Sequence, residues 1–135
     1  MANEAVILEL NEFSNAKQYT CAAGTSISKG TLLRLSADNL VIANPTDSTG
    51  PYAGVAAMDK DGTDSSTKIS VYIPGMGNKF DMTVHGSAGV TLGAQVVMSG
   101  SNLIRNAVAG DLLLGKVIGT AQETGTAAEV IVVLS

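Results

Sequence analysis

The sequence predicts an all-β fold: a compact β-sandwich or barrel built from two similar halves, with an extended N-terminal arm. Three observations carry this expectation. Short apolar runs alternate with Gly, Asn, Asp, Ser and Pro along the chain, the pattern of many short strands joined by turns. Strong helix formers never gather into a capped amphipathic segment, and 15 glycines recur through the 135 residues. Finally, ISKGTLLRLSADNLV at 27–41 reads again as VTLGAQVVMSGSNLI at 90–104, a shift of 63 (90 − 27).

Element by element, the arm comes first. Residues 1–20 lie outside the repeat, and 5–10 within them form a strand candidate, followed by a polar link at 11–17. Such a terminal strand can pair with its own sheet or add to a neighbour's exposed edge. Residues 21–135 form a single β domain with the repeat at about 24–73 and 87–134. Its predicted strands are 19–22, 32–35, 40–42, 52–57, 68–73, 80–85, 95–98, 103–105, 113–121 and 129–134. Ile69, Val71 and Ile73 alternate with Lys68, Ser70 and Tyr72, the period of a half-buried strand. Residues 130–134 are apolar throughout, so both faces of that strand should be covered, centrally in the fold or by another subunit. Ser36/Asn39 and Ser99/Asn102 mark one hairpin twice, since Asn, Asp and Gly tolerate tight-turn backbone angles. Beyond residue 41 the repeat continues at a shift of 61, pairing Gly54 with Gly115, Ile69 with Val130, Val71 with Val132 and Ile73 with Leu134.

Composition narrows the function classes. The chain is 45% hydrophobic but 4% aromatic, so its core is built from Val, Ile, Leu, Ala and Met. Charged residues make up 15%, against about 25% in ordinary soluble domains, which points to a surface partly hidden in an assembly. No stretch approaches the ~20 apolar residues of a membrane-spanning helix, and no membrane partner is expected. The net charge is −4 and the eight Lys and Arg are never adjacent, against the basic patch that nucleic acid needs. A lone Cys21 rules out an internal disulfide and suits a reducing cytosol.

Motifs that could carry chemistry fall short on inspection. Gly110-Asp-Leu-Leu-Leu-Gly115-Lys116 resembles a phosphate-binding loop, but Val117 stands where Ser or Thr should hold Mg²⁺, and a strand-like pair follows instead of a helix. Asp59-Lys-Asp61-Gly62-Thr-Asp64 places two ligand positions before its glycine where a calcium loop needs three. His85 is the only histidine, with no nucleophile or acid evident beside it in sequence. No catalytic residue, cofactor site or metal site is assigned, and the chain is not expected to be an enzyme.

The order of elements is what remains, and it resembles the small capsid decoration, or cement, proteins of tailed bacteriophages. More narrowly, it is similar to a phage family sometimes mislabelled recombinase-associated. The matching features are Ile27-x-x-Gly30 with 32–35, Tyr52-Ala-Gly54-Val55-Ala56, 69–73 with Pro74-Gly75, Phe80-Asp-Met82-Thr-Val84 and Val90-x-x-Gly93-x-x-Val96. Gly115-Lys-Val-Ile-Gly-Thr-Ala-Gln-Glu123 and the closing 129–134 complete them, covering residues 20–135. The resemblance implies a compact β protein, commonly a homotrimer, seated on the capsid exterior with the major capsid protein as partner. It also implies an N-terminal capsid-contacting segment, synthesis in the bacterial host cytoplasm, and no catalytic residues or cofactor. On this reading Glu4, Val6, Leu8, Leu10 and Phe13 are the capsid-contact candidates. Leu113, Val117, Val130, Val132 and Leu134 are the oligomer-interface candidates. Competing readings are a carbohydrate-binding or adhesion module, which would need exposed aromatic platforms, a hydrolase using His85, and another virion head or tail protein.

Overall fold

The computed structural model describes residues 3–9, 16–37, 40–43, 51–63, 65–74, 77–86, 89–108, 110–111, 117–125 and 129–134. The described residues form β1 (Val6–Glu9), β2 (Lys17–Thr20), β3 (Leu32–Ala37), β4 (Leu40–Ala43), β5 (Tyr52–Ala56) and β6 (Lys68–Tyr72). Then follow β7 (Lys79–Val84), β8 (Gln95–Met98), β9 (Leu103–Asn106), β10 (Val117–Ala121) and β11 (Glu129–Leu134). The fold is all-β, and its two halves are two closed five-strand mixed barrels. Barrel one is β2-β4-β3-β5-β6; barrel two is β7-β9-β8-β10-β11, with β1 added beside β7.

The two barrels share one pairing scheme. Each closes through a short parallel contact between its first and third strands, Thr20 against Leu40 and Thr83 against Leu103, both members shifted by 63. Every other contact is antiparallel, in the same order around both barrels. Single hydrogen bonds recur too. Ile27 and Lys60 exchange two backbone bonds, as do Val90 and Gly125; Gly30 N donates to Ala56 O as Gly93 N does to Ala121 O.

Strand register corrects two sequence expectations. Tyr19 faces Ile69 as Met82 faces Val130, so Lys17–Thr20 is the first strand of barrel one and belongs inside the repeat rather than to an arm of residues 1–20. Gly54 corresponds to Gly119, a shift of 65, and not to Gly115. Leu33 opposes Gly54 and Arg34 opposes Tyr52, skipping Ala53; Val96 opposes Gly119 and Val97 opposes Val117, skipping Ile118. Both barrels thus carry the same β-bulge, which bends a strand sharply enough to help closure. A Cβ on Gly54 would sit 2.3 Å from the Tyr72 carbonyl oxygen, so the strands approach this closely only with glycine there. The pairings of Ile69 with Val130 and Val71 with Val132 stand at 61.

Alternating side chains fill the barrels. Cys21, Ile27, Leu33, Val41, Ala53, Ala56, Ile69 and Val71 form the interior of barrel one. Their counterparts Val84, Val90, Val96, Ile104, Ile118, Ala121, Val130 and Val132 are all part of the second cluster. That cluster extends beyond barrel two through Ala5, Leu32, Tyr52 and Val55, with Ile7 and Tyr72 packed against it. These residues make an apolar seam between the barrels, where the Tyr72 and Phe80 rings meet at 5.9 Å between centroids. Strand β5 is buried at all five positions because one face lines barrel one and the other lines the seam.

Two polar links cross the same seam. Asn102, buried in the β8–β9 turn with a left-handed φ of 58°, accepts a hydrogen bond from Leu32 N at 2.9 Å. Ala5 N donates to Gly30 O at 2.7 Å, after which β1 runs antiparallel to β7. The N-terminal segment is therefore a strap laid over both barrels. Of the two arrangements open to it, the fold contains pairing with its own sheet.

Candidate functional site

The strap is the natural starting point, because its strand alternates. Ala5 is buried and Ile7 packs inward on the seam, while Val6 is 53% and Leu8 48% exposed on the outer face. Antiparallel pairing with Asp81 and Phe80 fixes that face in place. Of the capsid-contact candidates, Glu4 is half-buried and adjoins this face; Leu10 and Phe13 lie outside the described residues. Isolated exposed apolar residues are ordinary, but two on one face of an edge strand form a surface at which another chain can add.

The oligomer-interface candidates divide differently. Val130, Val132 and Leu134 are 0–1% exposed inside barrel two, where β11 lies between β7 and β10. They are core residues of the single chain and have no surface to offer a partner, which corrects their assignment. The apolar run at 130–134 is explained by central placement in the sheet. Val117 is half-buried, and Leu113 lies outside the described residues. Leu92 and Val108, each 63% exposed, are large apolar side chains that sequence periodicity did not single out because both sit in turns.

His85 has a partner that its sequence neighbours did not reveal. Its Nδ1 lies 2.5 Å from Ser99 Oγ, because β7 ends beside the β8–β9 turn. Serine and histidine at this distance are the first two parts of a nucleophile–base pair. The remaining geometry does not follow: Ser99 is 3% exposed, its own N–H is committed to Leu103 O, and no cavity opens among the described residues. The contact ties strand end to turn.

Two carboxylates of the acidic loop are engaged by protein donors, and Asp64 lies outside the described residues. Asp59 Oδ1 accepts from Lys29 N at 2.7 Å, and Asp61 Oδ1 accepts from both Thr63 N and Thr63 Oγ1 at 2.8 Å. The Thr63 backbone bond, then the Thr63 hydroxyl bond, hold the Asp61 carboxyl below its ordinary range, with a smaller contribution from the Lys60 charge. Lys60 itself is buried, its Nζ donating to the Thr25 and Asp61 carbonyls at 3.3 and 3.4 Å. Among the described residues, no three His, Cys, Asp or Glu side chains gather as metal ligands.

The remaining motifs are structural. Asp111 accepts from Val108 N at 2.7 Å and pairs with Arg105 at 3.3 Å, fixing the turn at Gly110. Residues 112–116 lie outside the described residues, and strand β10 follows them where a phosphate loop requires a helix. Cys21 is buried inside barrel one. Tyr52 and Phe80 are buried and Tyr19 and Tyr72 pack against the cores, so none of these four rings forms a flat platform for sugar. Burial also pushes the Tyr52 hydroxyl well above the ordinary tyrosine range. No family model matches the chain, and no curated protein is significantly similar to it in sequence.

Proposed function

We propose that this chain is a structural virion protein that binds the outer surface of a tailed-phage capsid and stabilises contacts between capsomers, by attachment rather than catalysis. Its partner is the major capsid protein, and its working form is a homotrimer on the capsid exterior, made in the bacterial cytoplasm. The observation that carries the reading is the outer face of β1, with Val6 and Leu8 exposed on a strand held rigid by both barrels. The motif order over residues 20–135, which resembles capsid decoration proteins, supports it. A head packed with nucleic acid is under outward pressure, and a protein bridging capsomers adds contact area across their seams. Several copies joined in one oligomer turn modest single contacts into firm attachment. With Val130, Val132 and Leu134 enclosed, the large apolar side chains exposed away from β1 among the described residues are Met58, Leu92 and Val108, and these are the candidates for the subunit seam.

The test pairs mass measurement with co-sedimentation on undecorated capsids. The native chain should be trimeric and sediment with capsids, and a Val6→Glu, Leu8→Glu double variant should keep its circular dichroism and lose sedimentation. A native chain that is monomeric and ignores capsids would defeat the reading. A double variant that binds as the native chain does would remove β1 as the contact.

A further inference from the structure

Among the described residues, barrel two pairs with an added strand, β1, and barrel one with none. Beside β7, strand β9 covers only Thr83 and Val84, and β1 covers the rest of that edge by pairing at Lys79, Phe80 and Asp81. The 63-residue shift carries these three positions to Ala16, Lys17 and Gln18 at the start of β2. There β4 covers only Thr20, and no strand among the described residues pairs with the remainder on that side. The described residues thus present two corresponding edges and one strand laid on them. Side-chain burial follows the same division. Met82 is 1% exposed in barrel two, whereas its counterpart Tyr19 is only partly buried at the rim of barrel one, and Lys17 and Gln18 are exposed.

We propose that the edge at Ala16–Gln18, which pairs with no strand among the described residues on that side, is a strand-acceptor site for an extended segment of another protein. The occupant runs antiparallel to β2. The register of the template sets apolar residues opposite Lys17 and Gln18, as Ile7 and Val6 face Phe80 and Asp81, and a carboxylate opposite Ala16, as Glu9 faces Lys79, next to the ammonium of Lys17. Its chemistry is read from the internal template: the strap that fills the equivalent edge is Glu4-Ala-Val-Ile-Leu-Glu9, apolar at its centre and acidic at both ends. Unpaired N–H and C=O groups on an edge provide the affinity of strand addition, and side-chain alternation provides its selectivity. A lysine on an edge strand also discourages indiscriminate pairing, which fits an acidic guest better than an apolar one. The inference stands apart from the capsid reading, which concerns the outer face of β1.

The probe is a synthetic peptide of residues 3–9, added to the intact protein and followed by amide hydrogen exchange. Saturable protection at Lys17–Tyr19 is expected. The same peptide methylated on its Val6 and Ile7 amide nitrogens should bind at least about tenfold more weakly, since backbone bonds are lost without any change in the protein. Lys17→Glu should weaken binding about threefold, the scale of an exposed ion pair. Absence of protection at 17–19, equal binding by the methylated peptide, or protection confined to Lys79–Asp81 through displacement of β1 would each overturn the proposal. Because the experiment contains no capsid, its failure leaves the capsid reading to its own test.

Discussion

Barrel two is filled by buried side chains where barrel one has either smaller buried ones, Cys21 and Ala53, or partly exposed ones, Tyr19 and Leu35. Met82, Val84, Met98 and Ile118 fill the second interior where Tyr19, Cys21, Leu35 and Ala53 stand in the first. Phe80 is enclosed in the seam, while its counterpart Lys17 is in water. Yet the hydrogen-bond scheme is the same in both, down to the bulge beside Gly54 and Gly119. The difference teaches which part of a duplicated fold is constrained. Every strand in a closed barrel must satisfy both its neighbours, so pairing resists change. Side chains diverge according to what covers each barrel, and among the described residues only barrel two pairs with a strand outside its own five.

The comparison can be broken most severely in the interiors. Met82→Ala should destabilise the protein by about 2–5 kcal/mol, the range for emptying a packed core site. Tyr19→Ala should cost about 1 kcal/mol, near the average for a point substitution. Urea unfolding of the two variants measures both, and equal losses would mean that barrel one is as tightly filled as barrel two.

A second pair isolates the strap. Gly30 and Gly93 occupy the same turn with φ of 90° and 81°, but a Cβ on Gly30 would meet Ala5 O at 2.3 Å, whereas one on Gly93 meets nothing within 4 Å. Gly93→Ala should therefore cost only its backbone penalty, about 1–2 kcal/mol. Gly30→Ala should lower the melting temperature further, and that excess should disappear when residues 2–8 are deleted. An excess that persists in the deleted chain would show that the strap is not its source.

A third comparison tests the polar link. Asn102→Gly keeps a residue that tolerates φ of 58° but removes the acceptor for Leu32 N, with an expected cost of about 1–2 kcal/mol for a buried donor left unpaired. Thermal unfolding should remain a single transition at a lower midpoint. No change in midpoint would mean that the Asn102 bond adds nothing to the joining of the barrels by the apolar seam and the strap.

Much of this was legible in the residues, and the failures have physical causes. The repeat from Ile27 to Val41 survived because turn and inward-facing positions tolerate little change. The place of β2 in the repeat was hidden because Lys-Gln-Tyr-Thr shares only its threonine with Phe-Asp-Met-Thr of β7 at the 63 shift. Gly54 was matched with Gly115 because loop lengths change in opposite directions on either side of β5 and β10. The shift rises from 63 to 65 and then falls to 61, and the final value also happens to meet a glycine. The seam was illegible: Leu32, Tyr52 and Val55 read as ordinary strand residues, and only the approach of the second barrel gives their outer face an apolar neighbour. At the candidate site, the alternation of Val6, Ile7 and Leu8 was visible, but which of them faces outward was not. The contact between His85 and Ser99 depends on tertiary closure and leaves no local signal.

The strap has a consequence for how the molecule is made. Val6 pairs with Asp81, a residue synthesised 75 positions later (81 − 6), whereas all five strands of barrel one lie between Lys17 and Tyr72. At ~5–20 residues per second, the ribosome takes roughly 4–15 s to supply that partner. Barrel one can close on the nascent chain during this interval, while Val6, Ile7 and Leu8 wait in solvent beside it. Translation speed and chaperone access over those seconds therefore bear on the yield of the protein alongside the stability of the finished fold.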